Sequence, residues 1–361
     1  MNIVIVVQTI MKLGGTENAS IQLGKILERL GYKVSFVSVY EKISDSSKRG
    51  EVPVNTFFFL KKIIRMTSLD KLYSLFDYFL RRKLNAFIAD LKPDVVLYTG
   101  IKHIDFDNDH FKKILVFHFS FLHYLHGTNG TRILNKNYKK IDKVVFLSEG
   151  DKNHYQEIYM DNAESIPNSV ECENYYRGEK NNKKLIFLGR LDENQKQISH
   201  LIKIVKRLYN KGELNGWTLD IYGGGVDGVM LERMIEENCC DDYIFMKGKT
   251  EKVPLVLSES DIMVMTSSFE GFPIVLVEAA ASSLALISYD SAPGISDIIY
   301  NGENGFVIEK NNLDEFEFYL SKLINDEQLL NSFRSRSRDI YLENYTSKIV
   351  GEQWDKLLRE L

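Results

Sequence analysis

The chain has 361 residues, 44% hydrophobic and 27% charged, with a formal net charge of −4. That length exceeds one ordinary core and predicts two domains, the composition is that of a globular soluble protein, and the charge gives no global reason to expect nucleic-acid binding. The three cysteines, Cys172, Cys239 and Cys240, have neither metal spacing nor a disulfide framework, which fits a reduced cytoplasmic compartment.

In chain order, residues 2–7 run directly into a β-branched strand with no basic leader, so no signal peptide is expected. Residues 33–39, 94–98, 113–117 and 143–147 read as further buried strands of a parallel sheet. A helix over 17–30 is stopped by Gly31. Residues 60–92 form a long helical region with one break near Thr67–Ser68. After Ile166-Pro167-Asn168 a second series begins. Its strands are predicted at 184–188, 218–222, 243–246, 261–265, 285–289 and 305–308, alternating with helices at 198–209, 230–238, 274–283 and 313–324. Each half reads as a doubly wound α/β sheet, and two such domains face to face would leave a cleft at the carboxyl ends of their strands. The polar stretch 171–183 is the expected linker region. The expected division is 1–168, 169–345, and a last helix over 346–361 packing back on the first domain. No apolar run approaches the ~20 residues of a membrane span.

Residues 270–281, Glu-Gly-Phe-Pro-Ile-Val-Leu-Val-Glu-Ala-Ala-Ala, are the most informative stretch. Glu278 sits in an otherwise apolar run, where an unpartnered carboxylate is costly. Pro273 suits the first position of a helix. The free amides of Gly271 and Phe272 would then lie at a helix N-terminus, which favours a phosphate. Two acids beside a positive helix end and apolar walls suggest a polyhydroxylated anion such as a nucleotide sugar. Arg190 follows the strand 184–188 and Gly189, with Lys196 six positions on. At the mouth of a parallel sheet an arginine fork and a lysine point charge would suit a diphosphate; two solvated surface charges are the plainer reading. Gly14-Gly15 precedes the first helix without the three-glycine dinucleotide fingerprint, so it is either a phosphate approach or a simple turn. Gly223-Gly224-Gly225 permits close approach by a ligand or a sharp turn. His118 ends the strand 113–117 and is either a sugar contact or a core histidine. The seven histidines form no ligand cluster, so no metal site is expected. Over 61–92 basic and apolar residues interleave, which fits an anionic membrane surface or an ordinary amphipathic helix with a solvated basic face.

In order, these residues resemble glycosyltransferase family 4, retaining enzymes of the two-domain GT-B fold. The resemblance covers nearly the whole chain and is strongest in the second half. It rests on Phe187-Leu188-Gly189-Arg190-Leu191 with Lys196, on Ile221-Tyr222-Gly223-Gly224-Gly225, on Asp261 through Pro273 leading into the glutamates Glu270 and Glu278, and on Asp297-Ile298-Ile299 with Asn301 to Gly305. In the first half Gly14-Gly15, His118, Ser148 and Ile166-Pro167-Asn168 fall at comparable places.

The resemblance implies an N-terminal acceptor domain and a C-terminal donor domain. Arg190 and Lys196 would neutralise the donor diphosphate, and Glu278 would accept from ribose hydroxyls. Glu270 would hold the transferred sugar, and the segment Gly271, Phe272, Pro273 and Ile274 would meet its oxygens. Gly15 would approach the diphosphate and His118 the sugar. It implies no cofactor and no metal, a nucleotide-sugar donor (UDP-linked), a lipid-linked glycan acceptor, and a cytoplasmic enzyme at the inner face of the plasma membrane in surface polysaccharide assembly. Ser283-Leu284-Ala285 stands where the family often has Gly-x-Pro, so that helix-to-strand turn is expected to differ. The middle of Gly223–Gly225 lacks the acidic residue often found there, which leaves the sugar open. A GT-B nucleotide-sugar epimerase would need further acid/base carboxylates that the sequence does not display. A non-catalytic nucleotide-sugar binding protein fits poorly with intact Arg190, Lys196, Glu270 and Glu278.

Overall fold

The computed structural model describes residues 1–8, 15–39, 54–56, 82–104, 106, 110–125, 129–171 and 181–361. Cys172, Gly14 and most of the basic segment, residues 61–81, therefore lie outside the described residues. The chain divides into two compact units, one of Met1–Ser169 with Ser347–Leu361 and one of Val170–Thr346.

The first unit is built on seven parallel strands: β1 (Asn2–Val7), β2 (Lys33–Ser38), β3 (Val54–Thr56), β4 (Val95–Tyr98), β5 (Lys112–Val116), β6 (Lys143–Phe146) and β7 (Ala163–Ser165). Their spatial order is β3-β2-β1-β4-β5-β6-β7. After Asn2, β1 is apolar to its end because both faces are covered. Val4 and Val6 join one buried cluster with Val96 and Leu115, while Ile3, Ile5 and Val7 join another with Leu27 and Phe36. The helices are α1 (Gly15–Arg29), α2 (82–90), α3 (Phe121–Leu125), α4 (Asn129–Asn137) and α5 (Glu149–Ile158). In α2, Leu84 and Ile88 are buried while Arg82 and Lys83 are exposed, as an amphipathic helix requires. β3 and β7 are absent from the sequence reading, since three residues are too short to show a period.

The second unit holds six parallel strands, β8 (Lys184–Leu188), β9 (Thr218–Tyr222), β10 (Ile244–Gly248), β11 (Ile262–Met265), β12 (Ala285–Tyr289) and β13 (Gly305–Ile308), in the order β10-β9-β8-β11-β12-β13. Connecting them are α6 (Glu193–Lys196), α7 (Ile198–Asn210), α8 (Gly228–Glu237), α9 (Val253–Ser258), α10 (Ile274–Ala281), α11 (Pro293–Ile298), α12 (Leu313–Asn325) and α13 (Glu327–Asn344). The 18-residue α13 is missing from the sequence reading. It starts at Asp326, whose side chain accepts from the Leu329 amide at 2.9 Å, a standard N-cap. Its buried Arg334 lies 3.4 Å from the fully buried Asp261 and donates to the Ser283 carbonyl at 3.1 Å. Asp261 also accepts from the amides of Asn182 and Lys184 at 3.0 and 3.1 Å. A buried acid needs such partners.

Two local expectations are corrected. Pro273 is not the first helical residue of α10; it is the N-cap, at φ −77 and ψ 85, and the helix begins at Ile274. α10 ends at Ala281 rather than residue 283, and Ser283 takes φ +59. The turn therefore keeps a left-handed residue without glycine, closed by bonds from the Ser283 amide to the Ala280 carbonyl and from the Leu284 amide to the Ala279 carbonyl, both at 3.0 Å. This is a helix stop that glycine makes most easily, and Ser283 makes it here. Finally, α14 (Ser347–Arg359) belongs to the first unit, with Val350, Trp354, Leu357 and Leu358 buried beside Leu27 and Phe36.

Candidate active site

Sheet order fixes where a ligand can sit. In the second unit β8 is flanked by β9 and β11, so connections leave in opposite directions at the boundary between β8 and β11. Such a switch point opens a crevice at the carboxyl ends of the strands. The two loops that leave it carry Gly189, Arg190 and Lys196 after β8, and Glu270 after β11.

The loops are fastened to one another. Thr266 Oγ1 donates to the carbonyls of Lys196 and Gln197 at 3.1 and 3.0 Å. Ser268 Oγ donates to the Asn194 carbonyl at 2.8 Å, and the Ser268 amide to the Gln195 carbonyl at 2.7 Å. Gln195 Nε2 returns a bond to the Phe269 carbonyl at 3.3 Å. None of these connecting residues was singled out from sequence, because they meet across about seventy positions.

The result is an ion pair between Lys196 Nζ and Glu270 Oε1, with only 13% and 9% of the two side chains exposed. Gly189 lies close against the Phe187 ring, which a Cβ there would meet at a tight 3.2 Å, while Lys196 Cε would be in ordinary contact at 3.6 Å. The Glu270 amide donates to the Ser291 carbonyl at 3.2 Å. Arg190 is exposed, and among the described residues its guanidinium has no partner. The amides of Gly271, Phe272 and Ile274 likewise have none among the described residues, and they stand at or just before the N-terminus of α10. Among the described residues, the loops carry Arg190 without a partner, Lys196 held by an acid, and backbone donors at the start of α10 that are not used.

Glu278 lies on the half-buried side of α10, and among the described residues its carboxyl has no partner. Burial pushes that carboxyl up to about 7, because desolvation penalises the charged form.

The three glycines after β9 face protein, not open space. A Cβ on Gly225 would lie 2.1 Å from the Leu191 carbonyl oxygen, and one on Gly223 would lie 1.9 Å from that of Gly189. The Leu191 amide donates to the Gly224 carbonyl at 3.2 Å. This turn is a bed for the loop that carries Arg190.

In the first unit, Gly15 opens α1, is exposed, and has nothing within 4 Å of its Cβ position. His118 lies just beyond β5; burial pushes its imidazole down to about 4, and among the described residues its buried Nδ1 has no hydrogen-bond partner. Ser148 is a structural cap: its Oγ donates to Asp151 at 2.9 Å and accepts from the Asp151 amide at 3.2 Å. Asn304 is likewise structural, accepting from the Tyr300 amide at 2.8 Å and donating to the Ile298 carbonyl at 3.1 Å. Among the described residues no group of three or more His, Cys, Asp or Glu is placed to hold a metal ion, and no helix is long and apolar enough to cross a membrane.

Two doubly wound parallel units with a charged crevice on the second define the GT-B fold. Residues 176–340 match the family model described as glycosyl transferases group 1. An uncharacterized glycosyltransferase of Haemophilus influenzae is 28% identical over 98% of this chain and 98% of its own. The poly(ribitol-phosphate) alpha-N-acetylglucosaminyltransferase of Staphylococcus aureus is 27% identical over 61% of this chain, which spans 44% of that relative's length. The structure of HepE of Anabaena in complex with UDP and glucose aligns with a TM-score of 0.78 at 17% identity, covering 100% of each chain. The family model covers less than half of the chain and falls within the second unit, and the structural likeness is one of fold.

Proposed function

We propose that this protein is a retaining glycosyltransferase of the family 4 type. It moves a hexose or N-acetylhexosamine from a UDP-linked donor to a lipid-linked glycan of bacterial surface polysaccharide, on the cytoplasmic side of the membrane. The observation that carries the reading is the convergence of Arg190, Lys196 and Glu270 on the two loops that leave the switch point between β8 and β11. Crystallisation of HepE with UDP and glucose supports a UDP donor, and the name of the S. aureus relative supports a cell-surface acceptor.

Arg190 and Lys196 take the diphosphate and stabilise the charge that grows on the leaving oxygen. Glu270 accepts from hydroxyls of the transferred sugar, and the amides of Gly271, Phe272 and Ile274 donate to its oxygens. The acceptor oxygen bonds to the anomeric carbon on the face from which the diphosphate oxygen leaves, and that oxygen takes the acceptor's proton. Two cationic side chains and backbone donors supply the positive charge without a metal. Peripheral membrane contact through 61–92 is a further part of the proposal, and co-sedimentation with anionic liposomes examines it.

A thermal-shift screen of UDP-glucose, UDP-galactose, UDP-N-acetylglucosamine, UDP-N-acetylgalactosamine and GDP-mannose tests the donor class. A donor present at a hundred times its dissociation constant stabilises by about 2.7 kcal/mol, a readily seen shift. No shift with any of the five overturns the reading. Acceptor-dependent release of UDP then separates transfer from epimerisation.

Glu278 serves as the ribose anchor, and its raised pKa gives that role a pH signature. With the folded carboxyl at about 7, above its unfolded value, the protonated form is favoured in the apo fold. The associated stability is present at low pH and is lost as pH rises through about 7. Ribose hydroxyls donate to the carboxylate and stabilise the charged form, so binding releases a proton. Affinity for the nucleotide-sugar donor should rise about tenfold from pH 6 to pH 8 in calorimetric titrations, and Glu278→Gln should flatten that rise. An equal rise in the variant removes Glu278 from the ribose site.

A further inference from the structure

A small cavity of about 20 Å³ lies within the first unit, between the end of β5, α1, the segment after β7, and α14. His118, Gln22, Asn168 and Ser169 supply its polar wall, and Val350 and Trp354 part of its apolar wall. Among the described residues, two polar atoms of these wall residues are buried without a partner, His118 Nδ1 and Gln22 Nε2. Leaving two such groups unpaired costs about 1 to 3 kcal/mol each. The volume suits one water molecule, which needs two to four polar neighbours.

We infer that Gln22 positions His118 through a single ordered water in this cavity. The Gln22 amide donates to the water oxygen, and the water donates to His118 Nδ1. Nδ1 is then an acceptor, so the ring proton resides on Nε2. Gln22 Nε2 is the buried atom, and its donation occupies a lone pair of the water and leaves both water protons to be given, which favours donation to the ring. The low basicity of the buried ring keeps it neutral near pH 7. His118 thus presents a neutral N–H donor, fixed in one tautomer, to a ligand oxygen. Gln22 is a positioning residue, acting only through His118.

The sequence could not suggest this pairing, since Gln22 and His118 meet only through the fold. The spectroscopic consequence stands by itself, whereas the catalytic one rests on the transferase reading above. The test is the tautomer state of His118 in long-range proton–nitrogen spectra of the labelled full chain without substrate, assigned with His118→Gln. The wild type should show a single tautomer protonated at Nε2. Gln22→Leu, similar in size but without the amide, should show a mixture of the two tautomers. Turnover in this variant should fall, with little change in KM, and introducing Gln22→Leu into His118→Gln should cost nothing further. If Gln22→Leu melts early, Gln22→Ala is read by the same spectrum. An unchanged tautomer ratio in the folded variant overturns the inference whatever the activity. A wild-type chain that transfers no sugar overturns the transferase reading instead, and the spectrum still decides the bridge.

Discussion

Replacing Glu270 with alanine should lower turnover by about a hundredfold or more while holding or tightening the affinity for UDP. The two effects separate because Glu270 does two things. In this structure it is the counter-ion of Lys196, at a place where both side chains are nearly buried. On the proposed reading, an incoming diphosphate would compete with that carboxylate for the same ammonium. Deleting the carboxylate frees the lysine for phosphate and removes a like charge from the approach of the anion. It also strands a poorly hydrated cation, which should cost the apo protein about 2 to 3 kcal/mol, toward the lower end for a broken buried pair because some exposure remains. UDP should restore much of that loss, so the ligand-induced melting shift should exceed that of the wild type. Lys196→Ala should behave oppositely, losing both UDP affinity and turnover, because an unpaired Glu270 then faces the phosphate. Steady-state kinetics, calorimetry with UDP and melting curves with and without UDP check the pair. Full turnover in Glu270→Ala rejects its catalytic role, and a fall in UDP affinity parallel to the rate rejects the competition.

Gly225→Ala should be nearly as damaging, though no part of residue 225 need touch substrate. The added methyl would sit 2.1 Å from the Leu191 oxygen, 2.6 Å from its carbonyl carbon and 2.8 Å from its nitrogen. All three obstacles are backbone, which cannot rotate aside as a side chain would. The loop after β8 would have to lift from its bed, at about 3 kcal/mol, and Arg190 would move with it. For a unit of this size that corresponds to a melting drop of about 6 to 12 °C, together with a fall in kcat/KM. Gly228→Ala is the control, since its Cβ would meet only the Leu191 side chain at an ordinary 3.5 Å. Equal melting temperatures for Gly225→Ala and wild type would show that the loop is not held in this way.

Most strands of the two sheets are legible in the sequence for one reason. A parallel strand covered on both faces is a nearly continuous apolar run, as in residues 3–7 of β1, 185–188 of β8 and the whole of β11. α13 escaped because the face it buries carries Arg334 and Ser337 among Leu330, Phe333, Ile340 and Tyr341. Those polar residues interrupt the apolar spacing, and their purpose becomes visible only once Asp261 and the Asn304 carbonyl are beside them. At the crevice, the residue types were readable from Gly189-Arg190 and from residues 270–281. Their pairing was not, because Lys196 and Glu270 are 74 positions apart. They meet because β8 and β11 are neighbours in the sheet, a long-range fact with no local mark. The three glycines illustrate the opposite ambiguity: the sequence permits close approach, and only the fold identifies Leu191 and Gly189 as what approaches.

The return of α14 to the first unit also bears on biosynthesis. Residues 170–346 are one continuous stretch, able to close their own core as soon as they have emerged from the ribosome. The first unit starts earlier and finishes later. Its β1 and α1 are made at the outset, yet Val350, Trp354, Leu357 and Leu358, which cover Leu27 and Phe36, arrive only after the whole of the second unit. Domains tend to fold in the order in which they are made; here the unit begun first is completed last. During that interval the side of α1 that packs against α14 stays uncovered, so nascent chains stalled before residue 347 are the form most exposed to aggregation and most in need of a chaperone.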